Sequence, residues 1–85
     1  MDLHEIARRA SSLPRRFSDR VPPQTREDIE LMNEGGEYGE LTIELAASLA
    51  AHQAPVTAAE RDELRALLEA MEMPTDPIAK LNVQD

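Results

Sequence analysis

Apolar positions recur at helical spacing along most of this chain. Leu3, Ile6, Ala7, Ala10, Leu13 and Phe17 fall three and four apart, with Arg8, Arg9, Ser11 and Ser12 off their stripe. They predict a first helix that ends near Leu13 or restarts there with a kink, because Pro14 cannot continue a regular ladder. The prolines and polar residues of "SDRVPPQT" then make a loop. A second helix is expected from about Thr25 to Glu34. Thr25 is its N-cap, and Glu27 and Asp28 sit near the positive end of its dipole. Ile29 and Met32 form its stripe, with Leu31 to one side. Gly35 and Gly36 stop it, one of them supplying the left-handed residue beyond the cap.

The third helix is expected from about Tyr38 to Gln53. Leu41, Leu45 and Leu49 recur every four residues, and Tyr38, Ala46 and His52 widen that face. Ile43, Ala47 and Ala50 add a second apolar side, which marks this helix as the central one, touched from two directions. Pro55 ends it. The fourth helix opens with a capping box, Thr57-Ala-Ala-Glu60, and carries Leu64, Leu67, Leu68 and Met71. Met73-Pro74 closes it, and one further turn through Asp76–Leu81 would let Ile78 and Leu81 cover the end of the bundle. No four residues alternate as a strand requires. The expected fold is all-α: one domain over residues 1–85, a compact antiparallel four-helix bundle with a short C-terminal turn.

Composition narrows this picture. With no Trp, one Phe and one Tyr, the core must be built from Leu, Ile, Val, Met and Ala, as packed helices are. Absence of cysteine excludes disulfides, zinc ribbons and thiol catalysis. No stretch is apolar for the ~18–20 residues of a membrane span, and "MDLHEIARRAS" lacks a signal peptide's apolar region. The reading is a soluble cytoplasmic protein. Its net charge of −8 is unevenly placed. Residues 1–26 hold six Arg against three acids, whereas residues 27–85 hold fourteen acids against Arg61, Arg65 and Lys80. Most of the chain would repel phosphates, so a cationic protein suits it better than nucleic acid.

Candidate chemistry is sparse. His4 and His52 have no acid or thiol at ligand spacing, and neither follows a Glu by three as di-iron bundles require. The calcium-loop pattern is absent. "GGEYG" has glycines but no Lys, Ser or Thr to hold phosphate, and its acids oppose that use. The serines have no neighbouring base. The expectation is a protein that is not an enzyme and holds no cofactor or metal. The arginines Arg8, Arg9, Arg15, Arg16, Arg20 and Arg26 read as a solvated face partly paired with the acids of the second helix.

The acids remain. Glu27, Asp28, Glu30, Glu34, Glu37, Glu40 and Glu44 line the second helix, the glycine turn and the start of the third. Such acids ordinarily serve solubility. Gathered on one surface they would steer and clamp a basic partner, and Asp28, Glu30, Glu34, Glu37, Glu40 and Glu44 are the candidate contacts. Tyr38, the sole tyrosine, is either their apolar anchor or core packing beneath the turn.

The run "GGEYGELTIELAASLAAHQAPVTAAERDELRALLEAM" resembles the immunity proteins of bacterial polymorphic toxin systems, most of all the MafI-type and colicin-D-immunity-like group. The shared parts are Gly36-Glu37-Tyr38-Gly39, the Leu-rich stretch Leu41 to Leu49, the link Pro55 to Glu60, and Leu64 to Met71. The arginine-rich residues 1–26 are more basic than that group. The resemblance implies an immunity protein that neutralises a cognate toxin, often a nuclease, by covering its active site in a one-to-one heterodimer. It carries over no fixed set of contact residues. The rival reading is a small regulatory or adaptor bundle that uses its Arg-rich first helix on nucleic acid or another protein.

Overall fold

The computed structural model describes residues 1–85, and it is an all-α bundle of four helices, the first of them kinked. Helix α1 spans Leu3–Ser11, capped by Asp2, whose carboxylate accepts from the Glu5 N–H at 2.8 Å. The chain kinks at Ser12 and resumes as α2, Leu13–Arg16. Pro14 sits in the first turn of α2, where its missing N–H has no intrahelical partner to lose. Leu13, Pro14 and Phe17 are buried as a result. Leu3 departs from the predicted stripe. It is 84% exposed, so the buried face begins at Ile6.

After a 3-10 turn at Ser18–Arg20, helix α3 runs Pro23–Glu34. It starts before the predicted N-cap because Pro23 at the first helical position has φ preset and no orphan donor. Thr25 is therefore not the cap. It lies inside the first turn, and its hydroxyl meets Ser48 Oγ of the next helix at 3.1 Å. Helix α4 follows over Tyr38–Ala51, two residues shorter than expected, and α5 over Ala58–Ala70.

These last three helices close alike. The Glu37 N–H donates to Met32 C=O and the Gly36 N–H to Asn33 C=O, with Gly36 left-handed at φ 71°. Gln53 (φ 51°) takes the same position after α4, and Glu72 (φ 55°) after α5. Only the first closure uses the residue type that adopts this conformation freely. Gly39 lies in the first turn of α4, as the expected helix from Tyr38 requires. A Cβ there would come within 3.2 Å of Met73 Sδ, so the glycine lets the chain after α5 lie against α4.

Leu41, Leu45, Ala46 and Leu49 of α4 meet Leu64, Leu67 and Leu68 of α5, with Ile6, Leu13, Phe17 and Ile29 closing the core. The C-terminal segment makes the predicted turn at Asp76–Lys80 and buries Ile78. It also adds what the pattern did not show. Strand β2 (Asn82–Val83) pairs parallel with β1 (Pro55–Val56), too short for alternation to register. Asp85 then accepts from the Ala58 N–H at 2.9 Å, at the start of α5.

Candidate functional site

The capping box forms as its sequence requires: the Glu60 N–H donates to Thr57 Oγ1 at 3.0 Å, and the Thr57 N–H to Glu60 Oε1 at 2.9 Å. Both oxygens of Glu60 also receive the Arg20 guanidinium, each at 2.8 Å. This two-pronged bond, with the Thr57 N–H behind it, holds the Glu60 carboxyl down at about 2 against the opposing effect of burial. Arg20 stacks on the Phe17 ring, 4.3 Å from its centre, and reaches Pro55 C=O at 3.2 Å. One turn along, Arg16 grips Glu63 through both oxygens, at 2.7 and 3.2 Å. The bonds to the two glutamates push both guanidinium pKa values further up.

The arginines thus pair with α5, not with the acids of the second helix as the sequence suggested. The reason is topological: the fold brings Arg16 and Arg20 to Glu63 and Glu60, two carboxylates in the first turns of α5. Arg9 pairs with Glu5 of its own helix, and Arg26 donates to Ser18 C=O at 2.7 Å. Of the six N-terminal arginines, only the side chains of Arg8 and Arg15 make neither an ion pair nor a hydrogen bond.

The acids of α3, the glycine turn and α4 are left uncompensated. Every ion-paired acid lies on α1 or α5, and no acid from Glu27 to Glu44 has a basic partner. Glu27, Glu30 and Glu34 stand on the outer face of α3, spaced by three and four, and are exposed. Glu37 in the turn and Glu40 in the first turn of α4 are exposed too. Asp28 is half-buried on another flank, where it accepts from Gln24 Nε2 at 2.9 Å, and Glu44 is half-buried farther along α4. Of the candidate contacts, Glu30, Glu34, Glu37 and Glu40 are thus exposed, whereas Asp28 and Glu44 are half-buried.

Two of these positions can be weighed against the helix dipole. Glu37 and Glu40 lie at the N-terminal end of α4, where an acid favours the helix. Glu34 ends α3, whose last turn has no basic residue, so its charge opposes the helix it sits on.

Tyr38 is half-buried and packs against the core. The exposed apolar side chain among the acids is Leu31, 60% exposed, with Glu27 a turn before it and Glu34 a turn after. Its place beside the stripe, rather than on it, was the sequence signal for that exposure. His52 is exposed at the α4 cap, its Nδ1 3.0 Å from Ser48 C=O. Nowhere do three His, Asp or Glu side chains gather as a metal ion would need.

No family model, curated protein or solved structure matches the chain. The resemblance to toxin-immunity proteins rests on the residues that carry it.

Proposed function

We propose that the protein binds and neutralises a cationic toxin domain, with the acids of α3, the Gly35–Glu37 turn and the start of α4 as the contact surface. The observation that carries this reading is the segregation of charge. The fold pairs Arg16 and Arg20 with Glu63 and Glu60, yet leaves the acids from Glu27 to Glu44 without an ion pair. Glu34 is set where it weakens its own helix, which a purely structural role does not explain.

On this reading the carboxylates take the place of substrate phosphates against the Lys and Arg of a nuclease site. Long-range attraction speeds encounter, and charge-assisted bonds then fix the register. Charges at a rim set rate more than affinity, so an apolar contact is also needed. Leu31 offers a fuller one than Tyr38, because Tyr38 is partly engaged by the core.

Co-expression with each protein encoded beside this chain tests the reading, which requires one of them to be a cationic toxin domain. A one-to-one complex that abolishes the toxic activity is expected. Free toxicity in the presence of the folded chain would refute it. The regulator reading draws less support, since Arg16 and Arg20 are held by α5 and Arg9 by Glu5.

A further inference from the structure

Helix α1 and its continuation α2 bury Ile6, Ala10 and Leu13, with Phe17 just beyond, at intervals of four, three and four. His4, Arg8, Ser11 and Arg15 repeat those intervals two residues earlier, and all four are exposed. A shift of two residues is about 200° around a helix, so this second set faces away from the core. Ser12, between the two helices, keeps a right-handed helical backbone (φ −82°, ψ −18°), and the face carries across the kink.

Charge on this face has one sign. Arg8 and Arg15 make no ion pair or side-chain hydrogen bond, and the Ser11 hydroxyl between them is turned back onto Arg8 C=O at 3.2 Å. The two acids of residues 1–17 are engaged elsewhere, Asp2 as the cap of α1 and Glu5 with Arg9. Apolar side chains border the same face. Met1 and Leu3 are 47% and 84% exposed, and the one other large apolar side chain left so open is Leu31, among the acids of α3.

We propose that this face docks, weakly and reversibly, on a membrane surface rich in anionic lipid. Headgroup phosphates meet Arg8 and Arg15, which stand about 10 Å apart along the helix, while Leu3 and Met1 enter the boundary between headgroups and acyl chains. Anionic lipid answers both features at once. A nucleic-acid backbone would answer the arginines but leave Leu3 in water, and the exposed face has no aromatic ring for a base to stack on. Neither groove of the fold includes a residue of α1 or α2, so the face offers no pocket to a folded partner's side chain. Mobile headgroups need none. Fourteen of the seventeen acids lie beyond residue 26, and at physiological salt their repulsion reaches only about 8 Å. The inference does not rest on the toxin-binding reading and uses none of the acids of α3.

Flotation of the full chain with vesicles tests it, at about 1 mM lipid and low salt. Vesicles of equal parts phosphatidylglycerol and phosphatidylcholine are compared with pure phosphatidylcholine. The chain should float with the anionic vesicles, stay behind with the neutral ones, and be released as salt rises to about 0.5 M. Arg8→Gln with Arg15→Gln should lower binding by about 10-fold or more, since each cation near such a surface is worth about 5-fold. Leu3→Gln should lower it by about 10-fold. Both variants should keep their helicity, because all three side chains are exposed. They act at separate points, so misfolding of one leaves the other as a test. Absence of flotation, equal flotation with neutral vesicles, or binding that either folded variant leaves unchanged overturns the proposal. Capture by a single-stranded oligonucleotide without vesicle binding overturns it too.

Discussion

Replacing Glu60 by Gln separates two roles that one side chain combines. Glutamine can still accept from the Thr57 N–H and so retains the capping box, but it presents no charge to Arg20. The carboxyl is held at about 2 in the folded chain, against an ordinary 4.5. At ~1.4 kcal/mol per pH unit, that difference corresponds to at most about 3 kcal/mol of stability at neutral pH. The Arg20 and Glu60 side chains keep 25% and 18% of their surface in water, and screening reduces the expected loss to about 2 kcal/mol. In a domain of this size that lowers Tm by roughly 8–16 °C.

The pH dependence has a definite sign. A carboxyl whose pKa falls on folding stabilises the fold fully above its unfolded value and loses that contribution as pH drops through the folded one. The gap between wild type and Glu60→Gln should therefore be widest above pH 4.5 and shrink steadily toward pH 2. Thermal melts followed by far-UV circular dichroism across that range are the assay. A neutral-pH difference under about 2 °C, or a gap that stays constant through the window, would refute the reasoning.

Two further changes test the helix ends. Glu34→Lys should stabilise the isolated protein by about 0.3–1 kcal/mol in urea unfolding, because it puts a cation at the negative end of α3. The same variant should bind a cationic partner less well, and a loss of stability would count against the dipole account. Glu72→Gly should also stabilise, by roughly 0.5–1 kcal/mol, since Glu72 is left-handed at φ 55° and its side chain makes no hydrogen bond. At Gln53 the gain should vanish, because its amide donates to Ala50 C=O at 2.7 Å and to Lys80 C=O at 3.0 Å.

The helices were legible wherever their cause was local. Thr57 and Glu60 are three residues apart, and the Gly35-Gly36 pair ends a helix by its own backbone freedom, so both signals survive in any tertiary setting. The α3 start was misplaced because two prolines outrank a threonine as a first-turn signal. What lay beyond the sequence was long-range. The bond from Arg20 to Glu60 spans forty positions, and the β1–β2 pair joins segments that each offer only two residues. Leu3 shares helical spacing with buried neighbours but is 84% exposed. The acids of α3 and the following turn were legible as residues. Their lack of basic partners was not, because it depends on the arginines being held by α5.

The central claim is best tested by the association rate between this chain and the cationic toxin domain that the proposed function requires as its partner. Stopped-flow measurements would compare the wild type with a Glu30→Lys, Glu34→Lys, Glu37→Lys variant at low and physiological salt. The wild type should associate fast, and more slowly as salt rises. The variant should be slower by about 10-fold or more and lose most of that salt dependence. Equal rates with equal salt dependence would contradict the account.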